Sequence, residues 1–220
     1  MSTQTPPPTA VPEPVPEAPR YFQEAASGVP LAVFCFGFSV IALSLANAEV
    51  FNPSANLFVP VAFGTGALGM LVGGLWEFRN GNLFGATFGV AYACFLFTTP
   101  MILRWFAPEI APDNVAGAAG FGDSFGAYLL LWAAFTAFLT IGAYYINLPA
   151  FLAFLLLVIV YVLVAIVNIT APSSNTLLHL AGWIGILDGL CAWWLGMGLL
   201  LNGMGPRPIF PLPGYPYGRR

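Results

Sequence analysis

The chain has 220 residues, of which 59% are hydrophobic and only 7% charged, with a net charge of −3 and a mean hydropathy of +0.83. A soluble domain carries about 25% charged residues, so this composition excludes a cytosolic enzyme. The six basic residues form no footprint of the kind that releases counterions from nucleic acid.

Residues 1–27 are unlike the remainder. Seven prolines, from Pro6 to Pro19, alternate with Glu13, Glu17 and Glu24. Such a stretch buries too little apolar surface to offset its ordering entropy, and it reads as a disordered, partly polyproline-II tail. No basic segment precedes an apolar run in the manner of a signal peptide. Residues 205–220 repeat the proline-rich theme with Pro206, Pro208, Pro211, Pro213 and Pro216.

Residues 28–204 read as an all-α, polytopic bundle of six transmembrane helices. Three uncharged stretches, 29–48, 50–76 and 80–103, are each long enough to cross a hydrocarbon core of about 30 Å at 1.5 Å per residue. From Ser124 to Leu187 there is no Asp, Glu, Lys or Arg. Turn signals at Asn147-Leu148-Pro149 and Ala171-Pro172-Ser173-Ser174-Asn175 divide the remaining sequence into spans near 125–146, 148–169 and 176–201. Ser27 with Pro30, Asn147 with Pro149, and Asn175 supply caps or first-turn prolines at span starts. A β-barrel is excluded by long spans without apolar/polar alternation.

Six spans put both termini on one side. That side holds Arg20, Arg79, Arg207, Arg219 and Arg220, the other only Arg104, so both termini are expected to be cytoplasmic.

Within the spans, Gly69 and Gly73, Gly85 and Gly89, and Gly185 and Gly189 recur at the spacing that lets helices approach closely in lipid. Thr98-Thr99-Pro100 marks a kink. Glu77 and Arg79 read as an exposed structural pair in the turn between the second and third spans. Cys35, Cys94 and Cys191 read as apolar fillers with no metal spacing. No P-loop, HExxH or CxxC motif occurs, so neither metal nor cofactor is expected.

Asp188 is the costliest residue, because an ionised carboxylate mid-membrane costs about 2.5 kcal/mol or more. It reads either as a proton relay or as a neutral acid bonded to a neighbouring helix. His179, a turn into the last span, reads either as a relay or as a solvated interfacial side chain. Nine positions at 100° each set the two on opposite faces of their helix. These residues alone lead to a six-helix channel or transporter for a small solute.

The blocks Trp76-Glu77-Phe78-Arg79-Asn80-Gly81-Asn82, Phe84-Gly85-Ala86-Thr87, Tyr128-Leu129-Leu130-Leu131-Trp132 and His179-Leu180-Ala181-Gly182-Trp183-Ile184-Gly185 resemble those of the acetate uptake transporter family, over about residues 28–205. The resemblance implies a multi-pass cell-membrane protein, hexameric, each protomer carrying acetate and related small carboxylates such as succinate through its own pore. The family is not enzymatic, and its partners are its substrate and the lipid bilayer. It further implies a constriction made by Phe36, Tyr92 and Leu157, with Asn47, Thr87, Asn168 and His179 as polar pore-lining positions. Asp188 stands where relatives carry a small neutral residue. Ammonia or another small solute, or a scaffold or sensor without transport, remain the alternative readings.

Overall fold

The computed structural model describes residues 26–51, 57–107, 115–171 and 174–214. The proline-rich segment at 1–27 lies outside them except for its last two residues. Six helices are long and apolar enough to cross a membrane. They are α1 (Val29–Asn47), α2 (Phe58–Arg79), α3 (Leu83–Phe106), α4 (Val115–Tyr144), α5 (Leu148–Thr170) and α6 (Thr176–Gly203). No strand occurs among the described residues.

The spans match the hydropathy reading in number and order, with two clearly displaced starts, the fourth lying at Val115, ten residues before the expected 125. The second begins at Phe58, eight residues later than the uncharged stretch that starts at Val50. Absence of charge marks where a helix is permitted. The chain leaves α1 through Glu49, whose φ of 53° lies in the left-handed region that side chains avoid.

Winding changes twice, each time just after a proline. Residues Val61–Ala67 of α2 follow Pro60, and Ile102–Phe106 of α3 follow Pro100, and both segments are π-wound. Proline removes a donor from the i→i−4 ladder, and a wider turn is one way to resume it. Gly64-Thr65-Gly66-Ala67-Leu68-Gly69 has the spacing of a dinucleotide fingerprint but lies inside a membrane helix with no strand before it. A side chain at Gly66 would strike Ser39, and one at Gly69 would strike Cys35, so these glycines serve packing.

The other small residues do the same. A Cβ on Gly73 would lie 2.6 Å from the Gly28 carbonyl oxygen, and one on Gly89 would lie 2.6 Å from Gly74 Cα. Gly185 faces Ser44, and Gly189 faces Ile41. Backbone packing runs in the order α3, α2, α1, α6, α5, α4. Aromatic contacts from Tyr92 of α3 to Trp132 and Phe135 of α4 close the ring. The result is a bundle wound about an apolar lumen.

Glu77, expected to be exposed, is buried. It is 2% exposed and accepts hydrogen bonds from Ser27 Oγ (3.1 Å), Gly28 N (2.7 Å), Asn80 Nδ2 (3.0 Å) and Asn82 Nδ2. Trp76 Nε1 donates to the Ala26 carbonyl at 2.7 Å, Arg79 stacks over the Trp76 ring, and Asn82 Oδ1 accepts from Gly85 N to start α3. Gly81, at φ 70°, makes the turn that brings these groups together. The Trp-Glu-Phe-Arg-Asn-Gly-Asn block is therefore a clamp that holds the first turn of α1 against the α2–α3 turn.

Asn147 caps α5 through Ala150 N at 2.9 Å. Asn175 makes no capping bond to α6 and donates instead to Glu49 Oε1. The C-terminal proline-rich segment packs against the bundle over its described residues. Asn202 Oδ1 accepts from Ile209 N and Phe210 N, Trp194 Nε1 donates to the Pro211 carbonyl, and Leu148 N donates to that of Pro213. Leu212 lies against Gly198. Residues 205–214 thus fold back over the end of α6 as a strap.

Candidate functional site

The lumen has two chambers joined by a neck. The chamber on the side of the α2–α3 and α4–α5 turns has a volume of about 560 Å³ and opens between Ser27, Asn82, Tyr145 and Asn147. Asn82 and Asn147 cap α3 and α5, so two helix N-termini border this chamber, and their aligned amides favour negative charge. The far chamber, about 260 Å³, is bordered by Asn47, Ser39, Thr99, Tyr161 and Asn168 among largely apolar walls. Between them lies a space of only about 20 Å³, enclosed by Val33, Phe36, Phe88, Tyr92, Phe154, Leu157 and Leu195. Phe88 and Phe154 also border the turn-side chamber, and Leu157 the far one.

Phe36, Tyr92 and Leu157 come from α1, α3 and α5 and meet at this neck, all three buried. The Phe36 and Tyr92 rings pack edge to face with centroids 5.6 Å apart. Tyr92 also touches Phe88, Phe95, Phe154 and Trp132, so its position is set from three neighbouring helices and its own. Its hydroxyl lies 2.6 Å from Thr136 Oγ1. Thr136 in turn donates to the Trp132 carbonyl at 2.7 Å. A threonine hydroxyl has one proton, so Tyr92 is the donor in its bond to Thr136. That proton is spent on α4, and what Tyr92 offers the lumen is its ring.

The polar positions separate. Asn47 and Asn168 both border the far chamber, with Asn168 Nδ2 donating to the Val164 carbonyl at 2.8 Å. Thr87 is half-buried on α3 and borders none of the three spaces. His179 lies outside them too. Its Nε2 approaches Glu49 Oε2 at 3.2 Å, an ion-pair distance without hydrogen-bond alignment, and its side chain is 38% exposed. Asn175 Nδ2 donates to the other oxygen of the same carboxylate.

Asp188 is 0% exposed, and both its carboxyl oxygens lack a hydrogen-bond partner among the described residues. Tyr161 and Tyr92 lie within its electrostatic reach. Among the described residues, no Asp, Glu, Lys, Arg or His borders either chamber or the neck. Two residues of this site escape sequence reasoning, Thr136 and Tyr161. Tyr161 carries one faint signal. It is the sole side chain with a polar atom between Pro149 and Asn168.

The model of the GPR1/FUN34/yaaH family matches residues 11–208. The chain belongs to this family. Members similar to it include the succinate-acetate/proton symporter SatP of Escherichia coli K12, 30% identical over 187 residues that cover 85% of this chain and 95% of SatP. Acetate permease A of Emericella nidulans is 27% identical over 87% of this chain and 67% of its own length. Among solved structures, that of the bacterial acetate channel SatP superimposes with a TM-score of 0.75 at 31% identity, covering 86% of this chain and 99% of that one. The six-helix, all-α membrane fold is thus common to this chain and to a family member of known structure. The clamp built on Glu77 and the neck both lie inside the segment matched by the family model.

Proposed function

We propose that residues 28–204 form a transport domain that carries acetate and similar small carboxylates across a membrane through the lumen of each protomer. One observation carries the reading. Two chambers, one bordered by helix N-termini, meet at an apolar neck with no charged side chain along the way among the described residues. A hydrophobic neck gates by dewetting. A carboxylate that crosses it has shed water, and a neutral acid crosses at lower cost than the anion. The names of SatP and acetate permease A support the substrate class.

Coupling to protons belongs to the same reading, with Asp188 as the relay, since it is the one buried carboxyl near the neck without a partner among the described residues. Five Arg residues against one favour a cell-membrane protein with both termini in the cytoplasm. Assembly as a homo-hexamer in the bilayer is part of the same proposal and rests on the family resemblance, while Leu68, Val72 and Leu75 on α2 and Leu131, Phe138 and Ile141 on α4, more than half exposed in the single chain, suit lipid and a neighbouring protomer alike. The protein acts as a carrier and not an enzyme.

Labelled acetate uptake into proteoliposomes tests the reading. Uptake well above that of empty vesicles is expected, with a larger initial rate under an inward proton gradient. Uptake equal to that of empty vesicles, from protein shown to be folded, would overturn it. An ammonium-driven pH change without acetate uptake would point instead to the neutral-solute alternative.

A further inference from the structure

We propose that the hydroxyl of Tyr161 is the hydrogen-bond donor that receives the carboxyl group of a small monocarboxylic acid in the far chamber, directly before the neck. The inference rests on the reading of the lumen as a carboxylate path and adds a binding residue to it.

Leu157, Tyr161 and Asn168 border the far chamber from one helix. Their spacings of four and seven residues set them along one face of α5. They mark a line from the mouth at Asn168, past Tyr161, to the neck at Leu157. Polar atoms along this line differ in what they have left to give. Ser39 Oγ already donates to the Cys35 carbonyl, and the hydroxyls of Thr99 and Tyr128 bond each other. Asn168 Nδ2 spends a proton on Val164. Tyr161 Oη has no partner among the described residues, although the residue is only 4% exposed.

A buried hydroxyl left unsatisfied costs about 1–3 kcal/mol. Native structures tolerate such groups rarely, and a ligand that completes the bond is one reason they persist. The chamber that Tyr161 borders is largely apolar, so it accommodates an alkyl chain, while the unpartnered hydroxyl is a buried donor for one oxygen. A carboxyl group that has left water on its way to the neck needs such a donor at that point. A second carboxylate on the same molecule would add a charge between largely apolar walls, with Asp188 already within electrostatic range of Tyr161. The geometry therefore favours monocarboxylates over dicarboxylates.

The test uses the full chain in proteoliposomes and in detergent, with acetate as the probe and Tyr161→Phe as the variant. The substitution keeps the ring and deletes only the hydroxyl. The expected result is an increase of about ten- to a hundredfold in the KM for acetate, the worth of a hydrogen bond to a charged group. The apparent Tm of Tyr161→Phe without acetate should equal or exceed that of the wild type, because no protein partner is lost. Acetate should raise the Tm of the wild type and leave that of the variant unchanged. An unchanged KM, an equal acetate-induced Tm rise in both proteins, or a variant that melts early or aggregates would each overturn the inference while leaving wild-type carriage of acetate standing. A wild type that takes up no acetate would overturn both.

Discussion

The amide of Gly28 donates to Glu77 Oε1 across 2.7 Å, tying the first turn of α1 to the last turn of α2. The same carboxylate gathers Ser27, Asn80 and Asn82. It therefore answers an orphan amide at the start of one helix and orders the turn that starts another. Both helices border the turn-side chamber, through Val29 and Gly85, so the clamp sets the shape of one mouth of the lumen.

Glu77→Ala should lower stability by about 1–3 kcal/mol, because the buried Gly28 amide loses its acceptor and the turn loses the group that gathers Ser27, Asn80 and Asn82. Glu77→Gln should recover only part of this. An amide presents one acceptor oxygen, and its NH₂ faces the donors of Asn80 or Asn82. Unfolding followed by tryptophan fluorescence in detergent would order the three proteins as wild type, Gln, Ala. Equal stability of all three would remove the clamp from the account.

Tyr92 separates ring from hydroxyl. Its proton is spent on Thr136, so Tyr92→Phe should cost about 0.5–1.5 kcal/mol of stability and leave the acetate uptake rate within about twofold of the wild type, an expectation drawn from the unchanged ring. Tyr92→Ala removes the side chain that fills the neck and should raise the ratio of succinate to acetate uptake. Loss of acetate uptake in Tyr92→Phe, with the fold intact, would show that the hydroxyl serves the substrate itself.

Glycines predicted for close packing can be tested against one that is not in contact. Gly89→Ala places its Cβ 2.6 Å from Gly74 Cα, backbone against backbone, where no side chain can swing aside. The cost expected for such overpacking is about 1–3 kcal/mol. Gly64→Ala meets nothing within 4 Å and should be neutral or slightly stabilising, since alanine is the better helix former. Thermal melts of the two variants should therefore differ in sign or in clear magnitude.

The bundle is legible in the sequence because lipid leaves so few choices. Charge-free stretches of spanning length, with Asn147-Leu148-Pro149 at a break, read directly as helices and a turn. The neck is legible through resemblance alone, for nothing in the types Phe, Tyr and Leu distinguishes a pore plug from a core. Glu77 misreads as exposed because three of its partners, Gly28, Ser27 and Asn82, come from a distant turn and from beyond the next glycine. The docking of residues 205–214 is not legible, because proline content hides the side chain that anchors it, Leu212, and the acceptor carbonyls that only folding back supplies. Tyr161 is lost for the opposite reason. One hydroxyl in an apolar run looks like packing until its lack of a partner is seen.

Asp188 provides the test of coupling. Its carboxyl lies buried and unpartnered on α6, and the titratable groups within its reach are Tyr161 on α5, Tyr92 on α3 and Cys191 on its own helix. None of these supplies a positive charge. A carboxylate arriving in the far chamber and an ionised Asp188 would repel each other across an apolar medium, where Coulomb energies are large. A proton held by either one removes that repulsion, so the substrate and one proton move more readily together than the anion moves alone. Asp188→Asn keeps the shape and forfeits the proton site. Accumulation of acetate driven by an inward proton gradient should be lost in this variant, while exchange of labelled for unlabelled acetate at equal pH continues at a rate within severalfold of the wild type. Gradient-driven accumulation that survives Asp188→Asn would assign the residue to the structure of the bundle, and loss of both activities in a folded variant would assign it to the conduction path itself.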